Sequence, residues 1–561
     1  MFCEFRLALP SCPIAYCVLP EKYVPLWKGL QPAWHLYPDP SSHLRVSVIL
    51  TLVKLCDRTH EGVCRIKREA KLPTRVIDVG LHPRNRDHTK EINDNVHLRE
   101  TLDEQDRYIC LSHCWGKVQL IRTLKDNVED MKNGISFASL PKTYQDAIQI
   151  TRHLGIRYLW IDSLCIIQDD EDNWEREASQ MVTVYGNSYL TIAASSALDS
   201  RAGCFVLRTI PEFQSFKLNL SEKDTEHDEI ETSVRQKLRQ FGGLKWFVGK
   251  RINVEAEPIL ETRAWTFQEG RLPRRVLHLL SDEFVLDCES ATCHESGVFG
   301  KHNGRIRQLT RDTDPANISD HWRSYVTEYS GRSTTFVKDR FPALSRIAHE
   351  FHALNQSKYL AGMWRHSILE DLQWHTETET PLSRIEITLD NYLPSWSWAS
   401  TNGRVAWFSR GGPLGRYETM NEARIGYVNC QPAGINPFGR IRPGFLHISG
   451  FMLTATIKYH SPYEAEAIRG ESSAYVWPDY DFTKGRDRVE DGTEVVLLLM
   501  AQKFIRAIDP ENSMLVLRYV APVGEIFPGV HVYERIGYAN CDVNNPSFEM
   551  KGMARDDILI I

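Results

Sequence analysis

Hydrophobic and polar positions follow two periods between residues 140 and 195, and the pattern predicts helix, strand, helix, strand. After Pro141, which suits a first helical turn, apolar residues recur at helical spacing until Gly155 ends the helix. The face they form consists of Tyr144, Ala147, Ile148, Thr151 and Leu154. The apolar run 156–161 is typical of a strand buried on both faces, although a run this short also fits a buried helical turn.

The second half of this stretch repeats the pattern. Asp172 opens the second helix, and Glu175 completes a capping box. Its inner face consists of Trp174, Ala178, Met181 and Tyr185, Gly186 ends it, and 189–194 is a second buried strand. Short connections between alternating helices and strands require parallel pairing with crossover helices, so the predicted fold class is α/β.

Polar side chains follow the predicted strands at the edge where parallel sheets bind ligands, outside the carboxyl ends of the strands. An earlier predicted strand, Tyr108 to Ser112, also ends there. Acidic, hydroxyl, thiol and imidazole groups are thus expected together, from His113, Cys114, Trp115, Asp162, Ser163, Cys165, Ser195 and Ser196.

The pattern along the whole chain predicts four parts. Residues 1–70 are an N-terminal arm and helix, and 71–300 are the α/β domain with a charged insertion at about 197–260. Residues 301–390 have a helical pattern. Residues 391–561 alternate in the manner of antiparallel strands and form a β-rich C-terminal region.

Composition narrows the class of protein. Hydrophobic content of 42% and charged content of 25% over 561 residues are typical of a soluble globular chain. A net charge of -6 with scattered Lys and Arg argues against nucleic-acid binding, and no apolar run is long enough for a membrane span. Thirteen cysteines, several of them in apolar runs, together with charges and prolines near the start, favour reduced thiols in the cytoplasm.

Three potential metal ligands recur every four residues on the first predicted helix, at 46–70. They are Cys56, His60 and Cys64. One helix face supplies only part of a zinc site, no fourth ligand is near in the sequence, and cysteine is common in cores. The sequence alone therefore assigns no metal.

Three separated blocks resemble the hallmark segments of the fungal heterokaryon incompatibility (HET) domain. They are YICLSHCWG at 108–116, the block from LGIRYLWIDSLCIIQDD to VYGNSYLTIAA at 154–194, and RAWTFQEGRL at 263–272. LPTRVIDVG at 72–80, YLAGMW at 359–364 and LPSWSWAS at 393–400 resemble segments common around that domain. The resemblance implies a role in non-self recognition and regulated cell death, with an unidentified incompatibility protein as partner.

HET domains are thought to be distant relatives of TIR domains, which implies a TIR-like, flavodoxin-like parallel sheet with flanking helices. Catalytic TIR domains place a glutamate four residues after a tryptophan, as Glu269 follows Trp265 here. Thr266 stands where such domains usually have cysteine, and a long insertion precedes the block. The resemblance implies Glu269 as the catalytic residue of an NAD glycohydrolase. Ser112, Trp115, Asp162 and Trp265 would line the site. NAD is then a substrate, and no cofactor is assigned.

Each of these residues also has a structural interpretation. Glu269 is placed to pair with Arg263 or Arg271, the two tryptophans to anchor a core, and Asp162 to cap a turn. Glu177 is a second carboxylate, at a position where the helix dipole favours a solvated acid.

Two other functions stay open on the sequence. Cys165 or Cys114 with His113 has the residue types of a Cys-His hydrolase, without an evident third residue. Alternatively, the domain is a scaffold that signals by self-association and breaks no bond. The chain has no nucleotide-binding P-loop motif and no internal repeats, which excludes the multidomain, NLR-like type of HET protein.

Overall fold

The computed structural model divides the chain into two compact units, Met1–Thr262 with Glu269–Arg305 and Arg263–Gln268 with Ile306–Ile561. The four-part division expected from the sequence stays a prediction. In the described residues, no helix is long and apolar enough to cross a membrane. The structure describes residues 15–18, 43–60, 62–64, 70–80, 95–116, 121–205, 214–219, 229–236, 258–281, 283–295, 299–301, 306–377, 383–386, 392–408, 418–462, 464–485, 487–505, 508–520, 530–548 and 555–561.

Strands and helices alternate in the first unit. In chain order they are β1 (Ala15–Val18), α1 (His43–Thr59), β2 (Ala70–Lys71), β3 (Arg75–Asp78), β4 (His97–Glu100), β5 (Gln105–Asp106), β6 (Tyr108–Ser112), α2 (Val128–Asn133), α3 (Lys142–His153), β7 (Tyr158–Ile161), α4 (Asp162–Cys165), α5 (Glu171–Asn187), β8 (Leu190–Ala193), β9 (Gln214–Asn219), β10 (Glu229–Gln236), α6 (Trp265–Arg271, which begins in the second unit), β11 (Arg275–Leu279), β12 (Phe284–Cys288), β13 (Ala291–His294) and β14 (Phe299–Lys301).

Nine of these strands form one mixed sheet in the order β14-β13-β12-β11-β8-β6-β7-β3-β4. Its centre is parallel, because β6 pairs with β7 and β8, and β8 pairs with β11. The strands on both sides pair antiparallel. The α/β class is therefore confirmed. The expectation of a parallel sheet is correct only for the centre, because β11 and β12 are joined by a short connection, which permits antiparallel pairing, and β3 also pairs antiparallel with both of its neighbours.

The local pattern predicted the central elements well. Strands β6, β7 and β8 are buried at every position, as continuous apolar runs require. Helix α3 buries the predicted face except Leu154, which is half-buried, and Gly155 follows it at φ +70°. Because that left-handed conformation strains residues with a Cβ, glycine suits the stop.

The start of α5 differs from the prediction by two residues. Asp170 is the N-cap, and its side chain accepts the backbone N–H of Asn173 at 3.2 Å. The predicted cap, Asp172, lies inside the first turn, and Asn173 is held there by the side chain of Arg75 at 2.7 Å. On the predicted inner face, Tyr185 is buried and Met181 half-buried, while the side chains of Trp174 and Ala178 lie outside the described set.

The arm and the insertion are described only in part. Strands β1, β9 and β10 pair in a three-stranded antiparallel sheet of the first unit. Helix α1 ends at Thr59, earlier than the predicted 46–70 helix. The remaining residues of the predicted arm and insertion lie largely outside the described residues.

Helices α7 to α9 lie before the long strands of the second unit, and the C-terminal region is β-rich, as the sequence predicted. The elements are α7 (Pro315–Ser330), α8 (Ser345–Asn355), β15 (Tyr359–Leu360), β16 (Met363–Trp364), α9 (Ile368–Asp371), β17 (His375–Thr376), β18 (Val405–Ala406), β19 (Glu418–Asn421), β20 (Arg424–Asn429), β21 (Phe445–Gly450), β22 (Met452–Ser461), β23 (Glu464–Arg469), β24 (Ser472–Pro478), β25 (Glu494–Ile505), β26 (Ile508–Val520), β27 (His531–Asp542) and β28 (Asp556–Ile560).

Six strands of the second unit pair in a closed ring. The order is β22-β23-β24-β27-β26-β25, and β25 returns to β22. Alternate residues along each strand point inward, so β22 contributes Leu453, Ala455 and Ile457 to the core. Closing the ring leaves none of these six strands as an unpaired edge.

The segments YLAGMW at 359–364 and LPSWSWAS at 393–400 contact each other at Gly362. Its carbonyl oxygen accepts the indole N–H groups of Trp322 and Trp398, each at 3.0 Å. Gly362 has φ +91°, and a Cβ there would lie 2.4 Å from the Trp398 indole nitrogen. Glycine at this position therefore lets buried tryptophans satisfy their only polar group.

A buried ion pair joins the sheet of the second unit to a preceding segment. The Arg535 guanidinium lies 3.5 Å from the centre of the Trp374 ring and donates to Asp479 at 2.9 and 3.1 Å. It also donates to the carbonyl oxygens of Leu372 and Trp374, each at 2.5 Å. Burial raises the pKa of Asp479, and the charge of Arg535 opposes that rise.

We expect Asp479→Asn to lower the free energy of unfolding by about 3–5 kcal/mol, because the substitution leaves the Arg535 charge buried without its counter-charge. Denaturant unfolding of the full chain measures this. The control is Glu490→Gln, which breaks an ion pair whose side chains are 62% and 70% exposed and should change stability little. Equal effects of the two substitutions would contradict the prediction.

Candidate functional site

A serine and a glutamate meet at the carboxyl end of the central strand. Ser112 is the last residue of β6, and its Oγ donates a hydrogen bond to Oε2 of Glu269, 157 residues later in the chain. Glu269 lies on α6, which precedes β11. Both residues are buried, with 3% and 7% of their surface exposed. The structure thus places the predicted catalytic residue beside one predicted site residue.

Tyr185 on α5 lies near this carboxylate. Its hydroxyl donates to the Leu111 carbonyl oxygen at 3.2 Å. Burial raises the pKa of Tyr185 well above its ordinary value, and the nearby negative charge of Glu269 adds to the rise. The phenol therefore stays protonated at neutral pH. Sequence reasoning placed Tyr185 only on a core face, since periodicity does not reveal what a hydroxyl meets.

Two further predicted site residues contact each other. The indole N–H of Trp115 donates to Oδ2 of Asp162 at 2.8 Å. The other oxygen of Asp162 accepts the backbone N–H of Ser163 at 2.7 Å, which is the turn-capping contact expected of a structural aspartate. Asp162 is 22% exposed, so this pair, unlike Glu269, is open in part to solvent.

The Tyr144 hydroxyl connects His113 to Ser163, the residue that follows Asp162. The Tyr144 hydroxyl lies 3.0 Å from Nε2 of His113 and 2.7 Å from Oγ of Ser163. Burial raises the pKa of Tyr144 to about 12, and the Asp162 charge contributes. Tyr144 is a second hydroxyl that periodicity assigned only to the core.

The chemistry of a Cys-His hydrolase is poorly supported. Burial raises the pKa of the Cys165 thiol to about 12, so a thiolate is scarce at neutral pH. The imidazole of His113, the proposed base, faces the Tyr144 hydroxyl and the Asp162 carboxylate.

Trp265 has a different partner. Its indole N–H donates to Oδ2 of Asp339 at 3.3 Å, within the second unit. The neighbouring Thr266 uses its hydroxyl to bond the Arg263 carbonyl oxygen at 2.8 Å. The role of Trp265 as a wall of the site stays a prediction.

Glu177 has a structural role. Its carboxylate lies 3.5 Å from the guanidinium of Arg75, and both side chains are at most 5% exposed. Arg75 also donates to the Cys165 carbonyl oxygen at 2.8 Å. The structural interpretation of Glu177 is supported, but the residue is buried in an ion pair and not solvated, because the helix turns it toward β3.

A second cluster of functional groups lies at the end of α1. A fourth potential ligand, which the sequence lacked, is Cys288, the last residue of β12; its sulfur lies within 4.8 Å of the potential ligand atoms of Cys56, His60 and Cys64. Hydrogen bonds with the Cys288 and Cys56 thiols hold the pKa of Cys64 below its ordinary value. The sequence signal for Cys288 was weak, because a cysteine inside an apolar run usually belongs to a core.

The first unit is thus an α/β domain with a buried carboxylate at the ends of its parallel strands. Residues 108–269 match the family model described as "Heterokaryon incompatibility protein (HET)". The match runs from the first residue of β6 to Glu269. No curated protein and no solved structure matches the chain.

We expect Ser112→Ala to lower the free energy of unfolding by about 1–3 kcal/mol, because it leaves the buried Glu269 carboxylate without this donor. Denaturant unfolding of the full chain measures the loss. Ser139→Ala is the matched control, since Ser139 is exposed and its hydroxyl bonds the nearby Ser136 carbonyl oxygen. A loss no larger than that of the control would show that the Ser112–Glu269 bond contributes nothing to folding.

Proposed function

We propose that this protein acts in heterokaryon incompatibility and that its HET domain answers non-self contact by hydrolysing NAD, which leads to cell death. The observation that carries the proposal is the meeting of Ser112 and Glu269 at the end of the central parallel strand. Both residues lie within the matched HET segment.

The strand order supports a TIR-like site at this position. Taken in chain order, the parallel strands β6, β7, β8 and β11 lie side by side as second, first, third, fourth. Flavodoxin-like sheets begin with the same order and bind ligands where the order reverses. That point lies between β6 and β8, and Ser112 stands at its edge.

The chemistry requires a carboxylate near the ribose. Water adds to the anomeric carbon of the ribose, the bond to nicotinamide breaks, and nicotinamide, ADP-ribose and a proton are released. The transition state resembles an oxocarbenium ion, as in glycoside cleavage. Glu269 would hold the ribose hydroxyls and stabilise the developing positive charge, and Ser112 would orient the carboxylate. Trp115 and Asp162 would line the rest of the site.

Burial of the carboxylate implies regulation under this proposal. Glu269 is 7% exposed and already accepts a hydrogen bond from Ser112, so ribose can reach it only after neighbouring groups move. We infer that self-association, driven by an incompatibility partner protein in the cytoplasm, supplies this rearrangement.

The same burial favours a second candidate, a scaffold without enzymatic activity. A carboxylate that is enclosed and hydrogen-bonded is also what a purely structural residue looks like. In that case, assembly of the HET domain would recruit another effector.

Glu269→Gln separates the two functions, because it preserves size and removes the charge. We expect the full-length protein at high concentration, with a crowding agent, to release nicotinamide from NAD. The Gln variant should lose at least about 100-fold in rate, since the charge acts mainly in the transition state. Chromatography of the products measures the release.

The matched control is Glu177→Gln, another buried carboxylate of the same domain, whose partner is Arg75. This variant should lose stability but keep its activity per folded molecule. If assembled wild-type protein releases no nicotinamide, NAD hydrolysis is wrong and the scaffold remains.

We also expect expression of the wild-type chain in fungal cells to arrest growth, and Glu269→Gln to abolish the arrest under the enzymatic proposal. Colony counts after induction measure this, with protein amounts matched by immunoblot. Arrest that persists in the Gln variant would support the scaffold and contradict the catalytic role.

A further inference from the structure

Four potential metal ligands converge where α1 meets the sheet of the first unit. The ligand atoms of Cys56, His60, Cys64 and Cys288 all lie within 4.8 Å of one another. Tetrahedral zinc with bonds of about 2.0–2.3 Å places its ligands about 3.5–3.8 Å apart. Small movements of the side chains would therefore close the four groups, hereafter the cysteine–histidine cluster, around one ion.

The backbone presents three of these groups on one side. The N–H of His60 bonds the Cys56 carbonyl oxygen at 3.0 Å, and the N–H of Cys64 bonds the His60 carbonyl oxygen at 3.0 Å. These helical bonds align residues spaced four apart. The three thiols are buried, and His60 is half-buried with its Nδ1 atom 3.4 Å from the Cys288 sulfur.

Residues of the hairpin that follows β12 contact the sulfur atoms of Cys288 and Cys64. The backbone N–H of Ala291 donates to the Cys288 sulfur at 3.3 Å, and the Cys64 sulfur lies 3.7 Å from the Ser290 hydroxyl. The Ala291 N–H aimed at the Cys288 sulfur favours the thiolate form that binds metal, and such contacts are typical of the groups that support metal ligands.

We propose that the cysteine–histidine cluster is a structural zinc site that fastens α1 to β12. Three thiolates and one imidazole are a set that zinc prefers, and four protein ligands leave no open position for substrate. The site joins parts of the chain that are more than 200 residues apart, and it is separate from the Ser112–Glu269 pair.

Helix α1 is also held by contacts that need no metal. The Arg45 guanidinium pairs with both oxygens of Glu295 at 3.2 and 3.1 Å. Near the other end of the helix, Asp57 accepts from Arg275 at 2.5 Å and from Tyr189 at 2.7 Å. The ligands are therefore brought together by the fold, and loss of one ligand should leave the domain folded.

The test measures the metal content of the full-length protein, purified without chelator, by mass spectrometry of the elements. We expect about one zinc per chain in the wild type and at least about a tenfold loss in Cys288→Ser. Cys430→Ser, which removes a buried thiol of the second unit, is the matched control and should keep its zinc. Zinc retained by Cys288→Ser would overturn the ligand set.

Measurements on the wild type keep the test independent of whether variants fold. X-ray absorption at the zinc edge should give three sulfur neighbours at about 2.3 Å and one nitrogen at about 2.0–2.1 Å. Replacement by Co²⁺ should give the visible bands of a tetrahedral thiolate site. Wild-type protein that takes up neither ion, or that carries a disulfide among these three cysteines, would overturn the proposal.

Discussion

The position of β6 between two parallel neighbours is the constraint on which the first unit depends. All five of its residues are buried, so both faces of the sheet must be covered. Parallel pairing with β7 and β8 requires crossover connections, which α3 and α5 supply. The same pairing brings the carboxyl ends of three strands to one edge. The contact of Trp115 with Asp162 follows from that geometry, and Glu269 on helix α6 meets Ser112 at the same edge.

Local periodicity predicted the elements that are buried in a regular way. Helix α3 and strands β6 to β8 carry apolar patterns whose spacing favoured the conformations that the structure has. The start of α5 was placed wrongly because Asp170 and Asp172 have the same capping chemistry. The contact of Asn173 with Arg75, which fixes that helical turn, comes from a distant strand.

The long-range contacts were beyond periodicity. Glu269 was found only through the resemblance to a family, since nothing near it in the sequence points to Ser112. Cys288 looked like a core residue, because it ends an apolar strand and the apolar pattern does not show which side chains its sulfur meets. The contacts of the Tyr144 and Tyr185 hydroxyls were missed for the same reason, because periodicity assigned both residues only to the core. A pattern reports which face of an element is buried, whereas the partner on that face is set by the fold.

Burial of Glu269 has opposite consequences for folding and for catalysis. Enclosing a carboxylate costs free energy unless donors compensate it, and the Ser112 hydroxyl does so here. The same enclosure limits access to the carboxylate, since Glu269 is only 7% exposed. If the protein hydrolyses NAD as proposed, a carboxylate enclosed in this way is inactive until the groups around it rearrange. Under the proposed function, assembly would have to open this enclosure so that the ribose hydroxyls reach the carboxylate that Ser112 orients.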